Sequence, residues 1–132
     1  MNYREKDFNA LNITARWLDK PHAKHAYEFA CSYSASDSYG LQPKKVQHII
    51  QHQITSTSVA SHWLATHFPN SGTVQIVYGS DCVCVVNTQD FLQHWDEIFM
   101  PGRDDALVIH NLSRVVLCYC HDQILSLGER LE

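Results

Sequence analysis

Between Thr73 and Cys120 the chain switches periodicity in an order that few folds can satisfy: strand, strand, helix, strand, strand. Thr73–Tyr78 (TVQIVY) and Cys82–Val86 (CVCVV) are β-branched or apolar runs. Gly79-Ser80-Asp81 separates them, which predicts a hairpin. Phe91, Leu92, Trp95, Ile98 and Phe99 then form an apolar stripe at helical spacing. Asn87 or Thr88 is placed to cap that helix, and Asp90 falls in its first turn, where the helix dipole favours negative charge. Met100-Pro101-Gly102 stops it. Beyond the charged loop Arg103-Asp104-Asp105, Ala106–His110 (ALVIH) and Arg114–Cys120 (RVVLCYC) make a second hairpin around Asn111-Leu112-Ser113. Turns this short permit only antiparallel pairing. The tail HDQILSLGERLE fits either a last strand through Ile124–Leu127 or a short helix.

Residues 1–70 read as mainly helical. Phe8, Leu11, Ala15 and Leu18 recur at threes and fours and predict a helix to about Trp17, ended by Pro21. Ala26, Tyr27, Ala30 and Tyr33 predict a second helix from about Ala23 to Ser34, with His22 and His25 near its start. Ser34-Ala35-Ser36-Asp37-Ser38-Tyr39-Gly40 is a loop by composition. Pro43 suits the first turn of a third helix carrying Val46, Ile49 and Ile50. Thr55-Ser56-Thr57-Ser58 offers N-caps for a fourth, with Val59, Ala60, Trp63, Leu64 and Phe68, stopped at Pro69-Asn70-Ser71-Gly72. The expected architecture is α+β: one domain over 1–132, a ββαββ unit at 73–132, and an antiparallel sheet of four or five strands covered on one face by N-terminal helices.

Hydrophobic residues make up 45% of the chain and charged residues 18%, a composition that argues against disorder. No apolar run approaches the ~18 residues that span a bilayer. The N-terminus MNYREKDFNAL lacks a signal peptide's apolar stretch. A soluble cytoplasmic protein with reduced cysteines is expected, the five cysteines being an odd number. Charge is unevenly spread. Residues 1–72 hold seven Lys/Arg and five Asp/Glu (+2), and residues 73–132 hold three Arg and nine Asp/Glu (−6). No membrane partner is expected, and the charge balance argues against nucleic acid as a partner of the C-terminal half while suiting a basic protein.

Little in the chain predicts catalysis or a cofactor. His48 and His52, four apart on one face of the third predicted helix, have a spacing used by zinc ligands. The segment reads HIIQH rather than HExxH, so the glutamate of a metalloprotease is missing. Cys82/Cys84 and Cys118/Cys120 are C-x-C pairs on two predicted strands. Each pair shares a face, and on neighbouring strands four sulfurs would converge. Amid Val83, Val85, Val116 and Leu117 these cysteines fit a core role better, as does Cys31. Cys120 and His121 are adjacent in sequence, which opposes a nucleophilic dyad between them. No phosphate-binding glycine loop, dinucleotide fingerprint or G-x-S-x-G occurs. Acids cluster at Asp96, Glu97, Asp104 and Asp105. With Asp81, Asp122 and Glu129 they would form one acidic surface, with Arg103 and Arg114 as local ion-pair partners. Read as surface, Asp104 and Asp105 should tolerate reversal to lysine.

The segment DFLQHWDEIFMPGRDDALVIHNLSRVVLCYCHDQILSLGER, roughly a third of the chain, resembles the C-terminal halves of small bacterial immunity proteins and their uncharacterised relatives. Those halves often combine an aromatic-rich helix, a P-x-x-D-D loop, a hairpin, an aromatic-x-His-acid step and a Phe/Leu-Gly end. Here the matching elements are Phe91–Phe99, Pro101–Asp105, Ala106–Cys120, Tyr119–Asp122 and Leu127-Gly128. The resemblance implies a non-catalytic protein that occludes a toxin's active site or exosite, with an acidic surface suited to a basic toxin domain. The partner-binding residues expected on this reading are Asp96, Glu97, Asp104, Asp105 and His94. The alternatives are a metal-binding protein or metal-dependent enzyme using His48/His52 or the C-x-C pairs, and a homodimer joined through Trp17 and Trp63.

Overall fold

The computed structural model describes residues 3–35 and 40–131, so the centre of the loop expected at 34–40 lies outside the described residues. The first helix, α1 (Tyr3–Ala10), is shorter than its apolar spacing suggests. Asn12 takes a left-handed φ of 58°. Ile13 N–H then donates to Phe8 O and Asn12 N–H to Asn9 O, at 3.0 and 3.1 Å. This pair of bonds closes a helix C-terminus, and the apolar contact that usually accompanies it is made by Phe8 and Ile13, both buried in one cluster. Freed from the helix, Ala15–Trp17 becomes edge strand β1.

Helix α2 (Lys20–Cys31) begins where Pro21 was expected to end a helix. Proline sits in its first turn, and Asp19 caps it by accepting from His22 N–H at 3.0 Å. The segment expected as a third helix is strand β2 (Val46–Gln53). After helix α3 (Thr57–His67), capped by Ser56, come β3 (Thr73–Gly79), β4 (Cys82–Asn87), α4 (Thr88–Ile98), β5 (Ala106–His110), β6 (Val115–Cys120) and β7 (Ile124–Arg130). Asn87 caps α4 by accepting from Gln89 N–H at 2.8 Å. The tail is thus a strand, turning at Gln123 (φ 62°).

The seven strands form one antiparallel sheet in the order β1-β4-β3-β5-β6-β7-β2. The α+β class and antiparallel pairing stand. The four or five strands expected become seven, because β1 and β2 come from residues that read as helix. Helices also cover both faces rather than one. Phe8, Leu64, Phe68, Phe91, Trp95, Ile98 and Phe99 bring α1, α3 and α4 against Val74, Ile76, Val86, Val108, Leu117 and Tyr119 on one side. On the other, Ala23, Ala26 and Ala30 let α2 lie close to Val77, Val83, Leu107, Ile109 and Val116. Trp95 Nε1 donates to Ser61 Oγ at 2.9 Å and ties α4 to α3. One buried polar group needs its own partners: His110, 1% exposed, reaches Ser71 O at 2.6 Å and Ser113 Oγ at 2.7 Å. A carbonyl only accepts, so Nε2 carries a proton and donates to Ser71 O.

The misreading of β2 has a specific cause. Its register against β7 shifts between Gln47 and Ile50, so that His48 and Ile49 together oppose Gly128, and His48 takes a φ of 55°. This bulge moves Val46 and Ile49, three apart, onto one face. A spacing of three is a helical signal, here made by one extra residue in a strand. Gly128 makes room for the bulge. A Cβ there would lie 2.5 Å from Val46 Cγ1 and 3.0 Å from Gln47 O. Gly128→Ala should therefore cost about 1–3 kcal/mol in urea unfolding, with faster amide exchange along β2. An unchanged unfolding midpoint would mean β2 is not pressed against β7.

Candidate functional site

The two metal arrangements suggested by the sequence do not assemble. In a strand, residues four apart lie up to roughly 13 Å from each other, and the two histidines have different neighbours. His48 is exposed and lies 3.6 Å from Glu129, while the His52 ring stacks on Trp63 at 5.2 Å. The C-x-C pairs sit on β4 and β6, with β3 and β5 between them. Cys84 faces α1, α3 and α4, whereas Cys118 faces α2, so the pairs point to opposite sides of the sheet. Burial pushes the Cys118 thiol up to about 12, far from a thiolate at neutral pH. No group of three or more His, Cys, Asp or Glu able to hold a metal occurs among the described residues. Trp17 packs edge-on against Phe8 at 5.2 Å, and Trp63 is held between His52 and His67. Neither tryptophan is a bare aromatic awaiting a second copy.

Most acids of the expected surface gather at one end of the sheet, which the strand register identifies; Glu129, opposite Val115 at the start of β6, lies at the other end. The β3–β4 turn (Gly79–Cys82), the start of β5, the β6–β7 turn (His121–Gln123) and the end of β2 all lie at the acidic end. The C-terminus of α4 joins them, because Tyr78 at the end of β3 donates from its hydroxyl to Ile98 O at 2.8 Å. Asp81, Asp96, Glu97, Asp105 and Asp122 are exposed at or beside this end. Among the described residues none of the five pairs with arginine or lysine. Glu97 meets His94 Nδ1 at 2.8 Å, and His121 lies 3.0 Å from Asp105 and 3.6 Å from Asp122. Asp7 of α1 lines a shallow hollow with Glu97, Met100 and Arg103.

Asp104 stands apart from the other acids expected to bind a partner. It is 1% exposed and binds its own molecule. Oδ1 accepts from Arg4 Nη2 at 2.8 Å and Arg103 Nε at 3.0 Å, and Oδ2 from Arg103 Nη2 and Met100 N–H, both at 2.9 Å. Arg4 lies over the rings of Tyr3 and Tyr78, at 4.6 and 4.3 Å to their centroids, and Arg103 lies over Tyr3 at 4.8 Å. The group locks α1 onto the loop after α4. Charge reversal at Asp104 would bury a third cation beside two others, so the tolerance expected for a surface acid does not extend to it.

His121 and Asp105 pin the other side of that loop. Asp105 Oδ1 accepts from His121 N–H at 2.9 Å. The hydrogen bond to Asp105 raises the His121 imidazole above its ordinary 6.5; slight burial opposes the rise, and the charges of Asp105 and Asp122 add to it. A base whose folded pKa is raised stabilises the fold fully below its unfolded value and loses that contribution as pH rises through the folded value. Imidazole NMR should therefore show His121 titrating above 6.5 and Asp105→Asn returning it towards that value. A midpoint at or below 6.5 in the parent chain would remove the ion pair in solution.

Apolar groups that the sequence did not mark as exposed complete this end. Tyr3 is 49% exposed, Met100 42% and Tyr27 37%. Tyr3 and Met100 flank Arg103, and Tyr27 lines a small hollow with Tyr78 and Asp105. Their exposure depends on which helix flank meets the end of the sheet, and no local pattern encodes that. No protein-family model, no curated protein and no solved structure matches this chain, so its function has to be read from this geometry.

Proposed function

We propose that the chain is a non-catalytic protein-binding module that meets a basic partner with the turn-bearing end of its sheet, in the manner of an immunity protein occluding a toxin. The observation that carries the reading is the exposed Tyr3 and Met100 among acids that, among the described residues, no arginine or lysine pairs with. Tyrosine and methionine are enriched at protein interfaces, and a charged rim steers a partner of opposite sign. Asp104 offsets only one of the charges of Arg4 and Arg103, but the exposed Asp81, Asp96, Glu97, Asp105 and Asp122 outnumber what is left, so the outward field stays acidic. The immunity reading adds the resemblance of Asp90–Arg130 to that class and needs no reactive centre.

The test places a photo-crosslinking amino acid at Met100 in the full chain, expressed in its native cell, and identifies what it captures. The expected product is a basic protein that is toxic when expressed alone and harmless when co-expressed with this chain. Asp96→Lys with Glu97→Lys should slow association with the purified partner about tenfold or more, and added salt should shrink the difference. A neutral or acidic partner, or an association rate unchanged by reversal, would refute the acidic surface. A basic partner that is harmless on its own would refute the immunity reading while leaving the docking surface in place.

A further inference from the structure

Helix α2 connects strands at opposite edges of the sheet and so crosses it. Tyr27 and Cys31 form one of its flanks and face the acidic end. The other flank, carrying His22, His25 and Phe29 at helical spacing, overhangs a stretch of sheet that includes Arg16 and Gln75. Arg16 of β1, Val85 of β4 and Gln75 of β3 pair across this stretch in one row. A groove of about 640 Å³ opens between helix and sheet, with Arg16 and Gln75 on the sheet side and His22, His25 and Phe29 on the helix side. That volume suits a small ligand.

The chemistry of the groove is lopsided. Its one acid, Asp19, is already engaged by His22, through the backbone N–H at 3.0 Å and Nδ1 at 2.6 Å. Those contacts hold the Asp19 carboxyl below the usual carboxylate range. Among the described residues Arg16, His25 and the Gln75 amide have no polar partner. Phe29 is 41% exposed, with Tyr33 edge-on at 5.3 Å and Arg130 5.7 Å from its centroid. An unpaired guanidinium, an imidazole and an amide donor beside a partly exposed ring match an anion carried on a flat apolar body.

We propose that this groove binds a small organic anion with an aromatic ring, its carboxylate or phosphate held by Arg16 and His25 and its ring against Phe29. Titration of the ¹⁵N-labelled chain with benzoate, phenyl phosphate, inorganic phosphate and uncharged benzamide tests this. Saturable amide shifts confined to 16–29 and 75 are expected with benzoate or phenyl phosphate; the stronger of the two identifies the head group. Inorganic phosphate should bind more weakly and benzamide not at all. Arg16 is exposed, so Arg16→Gln should fold normally and weaken binding about tenfold or more. Absence of localised saturable shifts up to about 10 mM of either ring anion, benzamide matching benzoate, or equal affinity of Arg16→Gln would each overturn the proposal.

Discussion

Asp104→Asn should lower stability by about 3–5 kcal/mol, a large share of what a domain of this size possesses. The amide keeps the carboxylate's shape but removes the charge that two guanidinium groups face. Arg4 has 15% of its side chain exposed and its Nε is buried without a hydrogen-bond partner, so it cannot easily turn to water. The pH dependence supplies an independent reading. Burial pushes the Asp104 carboxyl up, but hydrogen bonds from Arg103, Met100 N–H and Arg4 outweigh it and hold the group below its ordinary 3.8. A carboxyl depressed in the folded state contributes fully above its unfolded pKa, and that contribution fades as pH falls through the folded value. Urea unfolding at neutral pH should therefore separate parent and variant widely, and the gap should close below about pH 3.8. A neutral-pH difference under about 1 kcal/mol would mean that water screens the cluster as it does a surface ion pair.

Phe99→Ala should cost a similar amount for an unrelated reason. The ring is 1% exposed and stacks on Tyr119 at 4.8 Å, with Tyr78 and Phe91 meeting it edge-on, each at 5.9 Å. Its neighbours belong to β3, β6 and α4, whose backbones are fixed by the sheet and by Tyr78 bonding to Ile98 O. The space left by the ring cannot collapse, so the loss should reach about 3–5 kcal/mol rather than the smaller transfer term alone. Phe99→Leu keeps most of the volume and should lose much less. Denaturant midpoints of the two variants settle the matter, and equal midpoints would point to a core that repacks freely. The two losses should also differ in acid, since only that of Asp104 depends on pH.

The sequence was most legible where local chemistry and tertiary packing agree. Helix α4 announced itself through Phe91, Trp95, Ile98 and Phe99, and all four are buried. Both hairpins between Thr73 and Cys120 followed from their turns. It was least legible where one residue redirects the chain. Asn12 in a left-handed conformation ends α1 and releases β1, and the extra residue at His48 gives β2 a helical apolar spacing. The acids of the candidate surface were legible by charge, but their solvation was not. Asp104 and Asp105 are neighbours, yet one is sealed by Arg4, 100 positions away along the chain, while the other faces outward. The groove beneath α2 left no trace at all, because Arg16 and Gln75 meet only through the pairing of β1, β4 and β3.

The bulge in β2 also bears on how the molecule survives in a crowded solution. A seven-stranded antiparallel sheet has two open rims, each a potential template for another chain to extend. At one rim β1 offers only three residues. At the other, β2 is eight residues long and carries no proline, lysine or acid to repel an incoming strand. The kink at His48 interrupts its row of free backbone groups and leaves only short regular stretches on either side. The residue that disguises this strand as a helix thus also breaks up the edge that another chain would need to extend.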